Sequence, residues 1–176
     1  MKHLRNMLVL ALSGFLAFKG WVYWRAHRFD GAIAQASNRY QVSPALIKAV
    51  IWRESNFNPD ARGRAGELGL MQIRETAALE WASAEHIKNF DHAACADPLT
   101  NVLAGSWYLK RVMRHYSRAD NPMPFGLAEY NAGRGNVLKW MAGDSATNSA
   151  AFVKHIGYPG TRLYVQKIIE RYEDNR

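Results

Sequence analysis

Apolar residues recur along most of this chain at spacings of three and four, and the strict alternation of a half-buried strand is nearly absent. The pattern predicts an all-α domain with one small hairpin near Leu68–Ile73. The clearest helix runs from Pro44 to Ser55, with Ser43 as N-cap and Pro44 in the first helical position. Other helices are expected over about Phe29–Tyr40, Glu75–Ala84, Pro98 to about Tyr116, and Phe125–Asn131. On the third of these, Leu99, Val102, Leu103, Leu109, Met113 and Tyr116 mark the core face, and Gly105 allows another helix to approach. Asn121-Pro122-Met123-Pro124 predicts a turn; Gly133 and Gly135 stop a helix, and Asn136 is placed to cap the next. Residues 143–160 predict an extended loop along a cleft, and Thr161 starts the last helix.

The first residues differ in character. Met7–Trp24 holds Lys19 as its one charged residue and follows Lys2 and Arg5. A spanning helix needs about 20 mostly apolar residues, so this segment predicts an uncleaved anchor helix, with Trp21, Tyr23 and Trp24 at the outer interface. A cleaved signal peptide is the rival, but Ala32-Ile33-Ala34 lies far from the apolar stretch. The chain therefore divides into an anchor over 1–28 and a globular domain over 29–176.

Composition narrows the function classes. The 176 residues suffice for one domain, and 48% hydrophobic content excludes a disordered chain. Cys95 stands alone, so no intramolecular disulfide forms. No His, Cys and carboxylate spacing suits a metal and no phosphate loop follows a strand, so neither metal nor cofactor is expected; His86 and His92 are expected to be solvated. The net charge of +8 divides evenly, +4 on residues 1–30 and +4 on the rest. With basic and acidic residues interleaved and no matching motif, nucleic-acid binding is not expected.

The candidate chemistry starts with Glu54. It lies seven, four and three residues beyond Ile47, Val50 and Ile51 and so continues their apolar stripe. Burial there disfavours the charged carboxylate and raises its pKa, as a general acid requires. A Glu at the helix end that turns to solvent, or pairs with Arg53 or Arg62, fits the same spacing. Next comes a loop with Asn58-Pro59, Gly63, Gly66 and Gly69, held by Leu68, Leu70 and Ile73, suited to a pocket wall or to a plain packed connection.

Four blocks in order carry a resemblance: Glu54-Ser55 with Asn58-Pro59, Ala61 and Gly69-Leu70-Met71-Gln72; Asp97-Pro98 with Asn101-Val102, Gly105 and Tyr108-Leu109; Tyr130-Asn131-Ala132-Gly133 with Val137 and Trp140; and Thr161-Arg162 with Tyr164-Val165. Together they resemble the soluble-lytic-transglycosylase-type (SLT) family, which shares its fold with goose-type lysozyme. The resemblance implies a lysozyme-like helical domain that cleaves the bond between N-acetylmuramic acid and N-acetylglucosamine in peptidoglycan and leaves 1,6-anhydromuramyl ends. It implies Glu54 as the acid and then the base. Met71 and Gln72 would line the pocket near an acetamido group. Tyr130 would approach Glu54 and fix it, Asn131 would hold the motif or the sugar, and Tyr164 would join the site. Trp52 and Trp107 are available for stacking on sugars or for the core. The implied partners are glycan strands and, through the first segment, a membrane; the implied state is a monomer at the extracytoplasmic face of the inner membrane.

Two positions depart from the family pattern. Gly63 stands where the family usually has Ser, and Gly160 where it usually has Glu. Glu67 stands where a small residue is common, either as a replacement acid or as a partner of Arg62 or Arg64. A hydrolytic muramidase and a non-catalytic glycan-binding module therefore remain as alternatives.

Overall fold

The computed structural model describes residues 2–176, and the side chains of all of them except Lys2, Leu4, Arg5 and Leu8. Residues 1–31 and 32–176 form two compact units. The first is one helix, α1 (Lys2–His27), whose side chains at Met7, Val9, Leu10, Leu12, Phe15, Leu16 and Phe18 are all exposed. Among the described residues no helix is long and apolar enough to cross a membrane. The expected span Met7–Trp24 includes Leu8, whose side chain lies outside the described ones.

The second unit is helical: α2 (Asp30–Tyr40), α3 (Pro44–Ser55), α4 (Glu75–Ala84), α5 (Pro98–Arg114), α6 (Pro122–Ala132), α7 (Arg134–Trp140), α8 (Ser149–His155) and α9 (Pro159–Asp174). The α3 and α4 bounds are those the sequence predicts. Ser43 does precede α3, but its side chain makes no cap hydrogen bond. Asp97 opens α5 instead by accepting from the Thr100 amide at 2.8 Å. The core gathers Ile47, Val50 and Ile51 of α3, Val102, Leu109 and Val112 of α5, Phe125 and Leu127 of α6, and Val165 and Ile168 of α9, all fully buried.

Several expectations are corrected. Asn121–Pro124 is the start of α6, not a turn: Asn121 accepts from the Met123 amide, and the prolines sit in a first turn whose N–H groups lack intrahelical partners. Gly133, at φ 81°, stands before α7, while Asn136 bonds back to the Ala132 carbonyl. Residues 143–160 hold a 3-10 turn, α8 and the start of α9 in place of an extended loop, because Phe152 buries itself against Phe125, centroids 4.0 Å apart. Leu99 is 37% exposed and lies off the core face. Gly105 admits a loop side chain, not a helix: a Cβ there would lie 2.8 Å from Met71 Cβ. The hairpin is reduced to two isolated antiparallel bridges, Arg62 with Leu68 and Leu68 with Ile73, because positive φ at Gly69 and Gln72 turns the chain at once.

Candidate active site

The last turn of α3 carries Glu54 out of the core and into a cavity of about 380 Å³. Its walls come from the loop after α3 (Glu67, Gln72, Ile73, Arg74), from α4 and α5 (Thr76, Ala77, Tyr108), and from the end of α6 (Glu129, Tyr130, Asn131). Glu54 is half-buried, and its Oε1 accepts the Tyr164 hydroxyl at 2.6 Å. Burial pushes its carboxyl up to about 7; the Tyr164 bond and Arg53 pull it down, and the charge on Glu67 adds to the rise. Arg53 does not pair with it but lies over the Tyr164 ring, 5.4 Å from the centroid.

The loop is placed by buried bonds. Asn101, fully buried on α5, accepts from the Met71 amide and donates to the Leu68 and Cys95 carbonyls, each at 2.8 Å. Ser55 donates to the Leu70 carbonyl at 2.8 Å, which ties the loop to the helix that carries Glu54. Gln72 faces the cavity, and its side-chain amide donates to the Ala61 and Gly69 carbonyls.

The bond expected from Tyr130 comes from Tyr164. Tyr130 lines the cavity, but its hydroxyl donates to the Met71 carbonyl at 2.7 Å, not to Glu54. Tyr164, 2% exposed on α9, is the residue that holds the carboxyl. Burial first, and the Glu54 charge second, raise both phenols well above the usual value, so each stays a donor. Met71 does not line the pocket: it is fully buried under Gly105, where a helix wall leaves room for its thioether. Asn131 is at the cavity wall and accepts the Thr161 hydroxyl at 2.7 Å.

Glu67 lines the same cavity and pairs with neither Arg62 nor Arg64. Its Oε1 takes Arg74 at 2.9 Å and its Oε2 takes the Ala65 amide at 2.9 Å. Burial pushes its carboxyl up, but its own amide, the Ala65 amide and Arg74 outweigh that and hold it below the usual range. A Cβ at Gly63 would lie 2.8 Å from both Cβ and Cδ of Glu67, so the carboxylate occupies the space that any side chain at 63 would need. A Cβ at Gly160 would meet nothing within 4 Å.

Two wall residues escape the sequence reading. Arg74 shows its role only once Glu67 is placed beside it. Glu129, 3% exposed, accepts from the Tyr116 hydroxyl and lies 3.0 Å from His115 Nδ1. Its sequence signal was a lone acid within the apolar run Phe125–Tyr130. His92 is likewise bonded, to the Ile73 carbonyl at 2.8 Å, and not solvated as expected; His86 is exposed.

Residues 31–153 match the model of the transglycosylase SLT domain. The chain belongs to that family. Within the SLT domain the matched span includes Glu54 and the cavity loop, while Tyr164 lies beyond it. The membrane-bound lytic murein transglycosylases C of Salmonella typhi and Salmonella typhimurium are 35% identical over 130 residues, covering 68% of this chain and 35% of theirs. The chain thus spans about a third of the length of these curated relatives. Among solved structures, the lytic transglycosylase Slt of Pseudomonas aeruginosa, an inactive mutant, aligns over 81% of this chain and 23% of its own, with 25% identity and a TM-score of 0.73. The 70 kDa soluble lytic transglycosylase of Escherichia coli aligns over 82% and 23%, with 26% identity and the same TM-score. These likenesses establish the lysozyme-like helical fold of the SLT domain.

Proposed function

We propose that this protein is a peptidoglycan lytic transglycosylase, with Glu54 as its single acid and base. The observation that carries the reading is a carboxyl in a cavity, held by Tyr164, whose pKa is pushed to about 7 mainly by burial. Near neutral pH such a group both holds and releases a proton. The Glu54 proton goes to the glycosidic oxygen between N-acetylmuramic acid and N-acetylglucosamine, and the C4 hydroxyl leaves. The carboxylate then takes the proton of the muramyl C6 hydroxyl as that oxygen closes on C1. One bond to C1 breaks and another forms, the proton count is unchanged, and no water is consumed. The attacking hydroxyl is already part of the substrate, so proximity replaces a second carboxylate that would position water.

Gln72, Asn131 and Tyr130 line the cavity as sugar-facing groups in this reading. Met71 acts from below, through its carbonyl on Tyr130. The relatives named lytic transglycosylases, including one solved with bulgecin A, support the substrate class. The location proposed is the extracytoplasmic side of the inner membrane of the cell envelope, with a monomeric catalytic unit attached through residues 7–24. The exposed apolar side chains of α1 and the word membrane-bound in the relatives' name support it. Extraction of the full chain from membranes by detergent, but not by salt, tests that attachment.

Glu67 favours a second reading. A charged carboxylate in the same cavity is what a hydrolytic muramidase would use to activate water. The product decides. Purified glycan strands are digested with the full chain and with Glu54→Gln, and the ends are read by mass spectrometry. Anhydromuramyl ends from the wild type alone are expected; reducing ends would transfer the role of base to Glu67.

A further inference from the structure

A second hollow lies apart from Glu54. It measures about 350 Å³ and shares no lining residue with the cavity. The link between α2 and α3, the end of α5, the start of α6 and the end of α9 surround it. Its lining is mostly apolar: Val42 and Leu46 are buried there, and Met113, Pro122, Met123 and Tyr172 are half-buried. The two methionines are unbranched and adaptable, which suits a flexible apolar occupant.

The charge on this lining has one sign. Lys110 and Arg114 line the hollow, and no acidic residue does. With Met113 they fall three and four residues apart, so one face of α5 sets two cations about 6 Å apart along its axis beside a thioether. The Lys110 ammonium donates to the Gln41 carbonyl at 3.2 Å. Neither cation is in an ion pair among the described residues, whereas the nearby Arg39 and Arg111 are taken by Glu85 and Glu80.

We infer that this hollow binds an anionic phospholipid, with one acyl chain among the apolar side chains and the phosphate on Lys110 and Arg114. A free phosphate leaves the apolar lining unmatched, and a neutral hydrocarbon leaves the two cations unmatched; a phospholipid meets both. The supply of lipid rests on the attachment proposed above. Helix α1 ends at His27 and α2 begins at Asp30, so a chain anchored through residues 7–24 keeps its second unit within a short tether of the headgroups. Each basic side chain at an anionic surface contributes modestly, so two of them predict about a tenfold preference over a zwitterionic lipid, reduced by salt.

The full chain is reconstituted in phosphatidylcholine vesicles with a trace of phosphatidylglycerol that carries a photoactivatable diazirine on one acyl chain. Light releases dinitrogen and leaves a carbene that inserts into nearby side chains, which mass spectrometry maps. Labels are expected on α1 and around Met113 and Met123. Around the methionines the signal should be about tenfold above that from the matching phosphatidylcholine probe and approach it in about 1 M salt. Unlabelled phosphatidylglycerol should displace it, and inorganic phosphate should not. Lys110→Ala with Arg114→Ala should lower it about tenfold against the α1 signal, and Lys110→Arg with Arg114→Lys should keep it. The competition needs no substitution, so it decides even where a variant fails to fold. Labels on α1 alone overturn the inference and leave the attachment standing. Labels around the methionines alone support the lipid site and refute the attachment, and labels at neither place refute both. Equal labelling by the two probes, or displacement by inorganic phosphate, overturns the inference. So does a methionine signal that fades as protein density in the vesicles rises, which would mean that a second copy of the chain covers the hollow.

Discussion

Tyr164 and Glu67 act on Glu54 in opposite directions. The Tyr164 hydroxyl stabilises the carboxylate and lowers its pKa, whereas the Glu67 charge raises it. Tyr164→Phe should therefore move the alkaline limb of the pH–activity profile to higher pH, and Glu67→Gln should move it to lower pH. Profiles recorded side by side check both signs; a shift in the same direction for both would contradict the electrostatics. Gly63 and Glu67 form a second pair. Because a Cβ at 63 would overlap the Glu67 side chain, its Cβ included, Gly63→Ala should cost about 1–3 kcal/mol by overpacking, and Gly63→Ala with Glu67→Gly should cost less than the two single changes added together. Thermal melts of the three variants measure this coupling. The glycine that departs from the family pattern at 63 is thus matched by a carboxylate in the vacated space, whereas the glycine at 160 has no such neighbour.

At the level of elements, the cavity depends on a loop with little regular structure. Asn101 bonds three backbone groups around it from inside α5. Asn101→Ala leaves buried amide and carbonyl groups unpaired, each costing about 1–3 kcal/mol, so a large fall in melting temperature and loss of cleavage are expected. Unchanged melting would mean that the loop holds itself. The same elements show what was legible in the sequence. Helices α3 and α4 could be bounded from their flanking residues because stripe and boundary signals are local. The stretch 143–160 could not, because its Gly, Ser and Ala content conceals that one aromatic, Phe152, ties α8 to α6. That Tyr164 and not Tyr130 bonds Glu54 was hidden for a similar reason. Which phenol reaches Glu54 depends on how α9 lies against α3, and no spacing within either helix encodes that. The carboxylate itself was legible, since it continued an apolar stripe.

For the whole molecule, the site works against stability. A carboxyl raised from its ordinary value of 4.5 to about 7 binds its proton more tightly in the folded chain than in the unfolded one. The folded state therefore retains that proton between these values, and stability falls as pH rises from about 4.5 to about 7. The shift corresponds to at most about 3 kcal/mol. Glu54→Gln removes the penalty, so it should melt higher than the wild type at pH 8 and about equally at pH 4. Calorimetry at both pH values checks this; a wild type that is the more stable at pH 8 would show that the carboxyl is not desolvated.

The bond between Tyr164 and Glu54 joins residues 110 positions apart. A ribosome delivers the carboxyl 110 residues before its hydroxyl partner, and the helix that bears the partner packs only after that. The partly made chain thus holds an ordinary glutamate without its partner. The pairing of acid and phenol is therefore completed only after the chain has grown through α9, and the site takes shape after the helices that wall it.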